Sequence, residues 1–168
     1  MRNELKVAGV SLFLGLQCQA CFFDFPIDTK ASVRVDATIL GTWRCLGLDE
    51  APDAKPANFV VSRLDNFRYS ILFQEDADDP ERYEAFASVV KGKTILNVRV
   101  LDAKADVKPW TLVTYSFLRR PDIVQLYMVD EKKLSGAGSS SLSLRRAVEN
   151  TIHHSLFEDW CVCVRAKS

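Results

Sequence analysis

Phe67, Tyr69, Ile71 and Phe73 alternate with Arg68, Ser70, Leu72 and Gln74. Residues two apart on an extended chain face the same side, so this run buries one face and wets the other only as a β-strand. Similar strand-like runs cover Leu40–Leu48, Asn58–Leu64, Tyr83–Val90, Thr94–Leu101, Trp110–Leu118 and Ile123–Val129. Turn formers separate them: Pro52 and Pro56, Asp76 to Pro80, Pro109 and Pro121. Asp65-Asn66 reads as a two-residue hairpin turn, because both residues tolerate positive φ, and Lys91-Gly92 as a second tight hairpin. The period then changes. Leu144, Val148 and Ile152 recur every four residues with Ala147 beside them, which predicts one amphipathic helix over Leu142–His154, with serines to cap its start. An eighth strand follows at Leu156–Ala166. Eight short strands with hairpin connections make a barrel or a sandwich.

Ile39-Leu40-Gly41-Thr42-Trp43-Arg44-Cys45 opens the series, and Gly41 and Trp43 share a face there. A Trp so placed plugs one end of a barrel, and the Gly admits neighbouring backbone. This Gly-x-Trp pattern, with the late helix and a final strand ending in Arg165, resembles lipocalins and other calycins. The resemblance implies a mainly β fold: an eight-stranded antiparallel up-and-down β-barrel (lipocalin/calycin-like) with one α-helix before the last strand. It also implies that Arg165 stacks on Trp43. The whole stretch 36–166 is similar to a set of bacterial lipoproteins with a Leu-Gly-Thr-Trp-Arg-like opening, a likeness that brings no activity with it. In such a barrel the first and last strands are neighbours. If Arg165 reaches Trp43, then Cys45, Cys161 and Cys163 all point inward, and a disulfide from Cys45 to Cys161 or Cys163 becomes possible. Three buried free thiols are the alternative. The outer face of the last strand (Trp160, Val162, Val164) needs cover, for which the helix is the natural lid.

Arg2 and Lys6 flank the start of an apolar run, Val7 to Leu16, in this 168-residue chain. The run is too short for a bilayer-spanning helix, which needs about 20 residues. A basic start, a short apolar core and a small residue describe a secretory signal peptide; a buried N-terminal helix is the alternative. Ala20-Cys21 resembles the end of a bacterial lipoprotein signal. Cys21 is therefore the expected lipidation site, with Cys18 as the alternative, and secretion without lipid as a further one. The expected organisation is a signal peptide over 1–20, a tether over 21–36 and a lipocalin-like barrel domain over 37–168. The expected location is exported: a periplasmic or outer-membrane-associated bacterial lipoprotein, with the membrane as partner through its anchor.

Lys+Arg and Asp+Glu each number 22. Removing residues 1–20 takes away Arg2, Lys6 and Glu4 and leaves a net charge of −1. Such a chain offers no counterion-release term to a polyanion, so nucleic acid is not an expected partner. Other motifs carry little chemistry. His153-His154 diverge by about 100° on a helix and do not share a metal easily. Cys161-x-Cys163 lacks a standard zinc spacing. Glu75, Asp76, Asp78 and Asp79 lack the Gly and distal Glu of a calcium loop. Gly136-Ala137-Gly138 lacks the Lys of a phosphate loop and reads as a flexible linker. No catalytic residue, metal or cofactor is expected, and the chain is not read as an enzyme. Two functions remain. One is a membrane-anchored or secreted lipocalin-like protein binding a small apolar ligand, with Phe67, Tyr69, Ile71, Phe73, Val113, Tyr115 and Phe117 as lining residues. The other is a structural or interaction lipoprotein of the envelope, with a filled barrel and a protein partner.

Overall fold

A computed structural model describes residues 23–48, 50, 54–74, 79–101, 108–134, 139–153 and 155–167. Residues 1–22, with Cys18 and Cys21, lie outside this set, as do the acidic turn 75–78, the Gly-rich stretch 135–138 and His154. The strands are β1 (Gly41–Gly47), β2 (Ala57–Arg63), β3 (Arg68–Gln74), β4 (Glu81–Val90), β5 (Lys93–Val100), β6 (Trp110–Phe117), β7 (Ile123–Val129) and β8 (Phe157–Arg165). The helix α1 (Ser141–Thr151) precedes β8, and single 3-10 turns sit at Ala37–Ile39 and Glu131–Lys133. Each strand runs antiparallel to its neighbours in chain order, and β1 pairs with β8 to close an eight-stranded barrel. Closure removes both sheet edges, so no backbone row is left to pair with another chain. The register across the seam sets Trp43 opposite Arg165 and Cys45 opposite Cys163.

Up-and-down order gives the barrel two unlike ends. At one end the connections are short: residues 64–67, 91–92 and 118–122. At the other, the connections 48–56, 75–80, 101–109 and 130–156, the last of which carries the helix, are longer. The tightest turn is Lys91-Gly92, where both residues take positive φ (47° and 80°). That pair matches the twist of the flanking strands. The β2–β3 connection is different from the expected two-residue turn. Neither Asp65 nor Asn66 is left-handed; instead the Asp65 carboxylate accepts from the backbone N–H of Phe67 (2.8 Å) and Arg68 (2.9 Å), wrapping four residues. Phe67 therefore belongs to the turn and β3 starts one residue later.

The helix starts with a serine capping box. Ser140 accepts from the Ser143 N–H at 3.2 Å, and the Ser143 hydroxyl accepts from the Ser140 N–H at 3.1 Å. Its buried face is Leu144, Ala147 and Val148, but it does not cover β8. It packs with Val90, Ile95 and Leu112 on the outside of β4, β5 and β6. Alternation sets these three opposite the inward Ala87, Leu96 and Val113. The outer face of β8 stays open, with Val164 at 47 % exposure. The cause is a broader apolar surface on three adjacent strands than the two outward valines of β8 provide.

The stretch expected as a tether is packed from Phe23 onward. Phe23 exchanges backbone hydrogen bonds with Trp110 (2.6 and 3.1 Å), and Ile27 is 1 % exposed beneath α1. The Ile27 N–H donates to Asn97 Oδ1 at 2.7 Å, while the Asn97 amide donates to Phe86 O and Ser88 Oγ. A wholly buried Asn is thus satisfied by the strap, as burial requires. Arg145 on α1 donates to Asp28 at 2.7 Å and closes the strap from outside.

A candidate ligand cavity inside the barrel

Trp43 plugs the end with the short turns. It is 3 % exposed, and its indole N–H donates to Ile39 O at 2.9 Å. The Arg165 guanidinium lies 4.2 Å from the Trp43 ring centroid and donates to Leu40 O and Thr38 O, both at 2.6 Å. A cation over an indole face is held by the ring quadrupole, and here the two carbonyls fix its plane. Gly41 makes room for this. A Cβ there would lie 2.7 Å from Arg165 Nη1, and its φ is +128°. The Gly-x-Trp spacing thus has a local reason: one position must be bare so that the arginine can reach the ring two residues on.

Beside the plug, Asp36 joins the strap to the barrel. Its N–H donates to the Tyr69 hydroxyl (2.7 Å), and the Tyr115 hydroxyl donates to its carboxylate (2.8 Å). Burial works against the charge on Asp36, but hydrogen bonds from Thr38 and Tyr115 outweigh it and hold the carboxyl below its ordinary pKa. Burial, and then the bond to Asp36, raises Tyr115. Burial alone is the main reason that Tyr69 is raised.

Between plug and mouth lies a cavity of about 130 Å³. Its floor is Ile39 and Trp43. From β2 and β3 come Phe59, Val61, Tyr69, Ile71 and Phe73. From β5 and β6 come Leu96, Val98, Val113 and Tyr115; from β7, Val124, Leu126 and Met128. Among the described lining residues none carries a formal charge. Tyr69, Ile71, Phe73, Val113 and Tyr115 are thus together on the wall. Phe67 is not: in its turn it is 37 % exposed. Phe117 is not either; it packs against Trp43 near the closed end, ring centroids 6.4 Å apart.

Trp160 lines the cavity although alternation puts it with the outward Val162 and Val164. The β7–β8 register slips here: Leu126 pairs with Cys161 and Tyr127 with Asp159, leaving Trp160 without a partner residue. A bulge of this kind re-aims a side chain. Trp160 then meets Phe59 edge-on at 6.1 Å. Alternation alone would have found Leu96 and Val98; nothing in the sequence marks the bulge.

The polar atoms at the cavity are mostly engaged. The Tyr83 hydroxyl donates to Glu81. Thr111 is different: its Oγ1 is buried and has no hydrogen-bond partner. Cys45 and Cys163 form a disulfide across the seam, Cα atoms 4.0 Å apart, and both face the cavity. Cys161 is a buried free thiol 3.8 Å from Cys163 Sγ. Burial, with a smaller effect from Glu50, pushes its pKa up to about 12. The three sulfurs lie within 4.8 Å of one another, but the disulfide already uses two of them. His153 is exposed on the surface, away from this group. No protein-family model matches the chain, and neither curated proteins nor solved structures yield a match.

Proposed function

We propose that this chain is an exported, lipocalin-like barrel, held at a bacterial membrane by lipid on Cys21 (or on Cys18), that binds a small apolar molecule without chemically changing it. The cavity carries this reading: about 130 Å³ walled by apolar side chains and closed at one end by Trp43 and Arg165. An apolar cavity of about 150 Å³ admits benzene, whereas drug-sized ligands occupy about 300–1,000 Å³. The occupant on this reading is therefore a small one. The disulfide supports an oxidising compartment outside the cytosol.

Native mass spectrometry of the protein extracted from its host's membranes tests both halves. Acylation at Cys21 with a small copurified molecule is the expected result. A mass that still includes Met1 would overturn export and anchoring together. Acylation with no added mass, even after soaking in small aromatic compounds, would favour the second reading, an envelope interaction protein. The observation behind that alternative is the open outer face of β1 and β8, where Leu46 (41 % exposed) stands opposite Val162 across the seam and Val164 (47 %) stands opposite Arg44.

A further inference from the structure

We infer that the cavity selects an uncharged, ring-sized molecule carrying one hydrogen-bonding group, which meets Thr111. This rests on the binding reading above and adds the chemical class of the ligand. Two independent observations converge on it. The first is the wall, which offers no cation among its described residues. A carboxylate placed there would lose its hydration with no charge to replace it, which opposes its entry. The tyrosine hydroxyls do not substitute for a cation: Tyr83 and Tyr115 donate to the carboxylates of Glu81 and Asp36, and the Tyr69 hydroxyl oxygen is held by the Asp36 N–H.

The second is Thr111. It is the side chain on the wall whose hydroxyl is buried without a partner. A buried hydroxyl left unbonded is unfavourable, and an occupant that bonds it removes that penalty. The Oγ1 and Cγ2 of a threonine are close in size. A turn about χ1 presents the hydroxyl to an occupant while the wall keeps its shape. The flat faces of Phe59, Phe73 and Trp160 near the mouth suit a planar ring.

The test uses toluene, phenol and benzoate, which share one ring and differ in the group it bears. Their binding to the protein purified from its host is measured by calorimetry, beside the Thr111→Val variant. The expected result is binding of toluene and phenol and none of benzoate. In T111V the phenol affinity falls roughly 2- to 13-fold, the range of one net hydrogen bond, while toluene stays within about 2-fold. The melting temperature of unliganded T111V is unchanged or raised, since the exchange removes an unbonded hydroxyl, so a folding defect does not imitate the effect. Phenol binding that is indifferent to T111V would overturn the role of Thr111 while the apolar-ligand reading stands. Benzoate as the tightest of the three would overturn the neutral class. Failure of all three to bind would overturn the binding reading itself.

Discussion

Gly41 shows how a single bare position fixes the closed end. Its φ of +128° suits glycine, and a methyl at its Cβ would meet Arg165 Nη1 at 2.7 Å. Two penalties therefore act on Gly41→Ala: backbone strain, and displacement of the guanidinium from the Trp43 face. The expected loss is about 1–3 kcal/mol in urea unfolding. The two are separable by a double-mutant cycle. In an Arg165→Ala background the clash is gone, so G41A should cost less than in the wild type. Equal costs in both backgrounds would sink the contact explanation and leave strain alone. Asp36 adds a pH dependence at the same end. Its carboxyl is lowered in the folded state, so it contributes stability above the unfolded pKa, near 3.9, which is lost as pH falls through the folded value. The Asp36→Asn variant should lose part of the acid sensitivity seen between about pH 5 and pH 2. An unchanged acid-unfolding profile would mean that the Tyr115 and Thr38 bonds do not depend on the charge.

At the scale of elements, the strap extends the packed unit ahead of β1. Ile27 is wholly enclosed by α1 and the outer faces of β4 to β6, and its N–H satisfies the buried Asn97. Ile27→Ala should destabilise by about 2–5 kcal/mol, as large-to-small changes in a close-packed core do. A loss below about 0.5 kcal/mol, read from denaturant midpoints, would show that the strap is a dispensable tether. This element was hidden in the sequence because the alternation of Phe23, Phe25 and Ile27 is short and interrupted by Pro26, and the partners of Phe23 and Ile27 lie far along the chain. What was legible followed from periodicity: the strand series, the Lys91-Gly92 hairpin and the single helix before β8. The cavity wall was legible where alternation is regular, at Tyr69, Ile71 and Phe73. It failed at Phe67, where the Asp65 wrap delays β3, and at Trp160, where one extra residue turns a side chain through the sheet. The side on which the helix packs was not legible either. Local pattern shows that α1 has an apolar face, and only the assembled sheet shows which strands offer the larger surface to it.

For the whole molecule, the β1–β8 seam is the last closure, and the Cys45–Cys163 disulfide sits on it. The two residues are 118 apart in sequence, so the bond links nearly the full length of the barrel. In the chain-entropy account a loop of that size contributes about 5 kcal/mol by restricting the unfolded chain, with typical measured values of about 2–4 kcal/mol. Reduction should therefore lower the unfolding free energy measured in urea by an amount within that range, and Cys45→Ser and Cys163→Ser should match the reduced protein. Cys161→Ser should not, because Cys161 takes no part in the bond. The free thiol also serves as a reporter. With its pKa near 12 and its sulfur buried, it presents almost no thiolate to an alkylating agent at neutral pH. Alkylation of Cys161 in the oxidised protein should consequently proceed only through opening of the barrel, and its rate should rise with denaturant in parallel with unfolding. Rapid labelling of Cys161 in native conditions would mean that the seam opens locally while the rest of the barrel holds. In that event β1 and β8 would separate next to the cavity, and the wall that Cys45 and Cys163 share with Val124 would be a second way in for the ligand. Slow labelling that tracks global unfolding would confine access to the mouth.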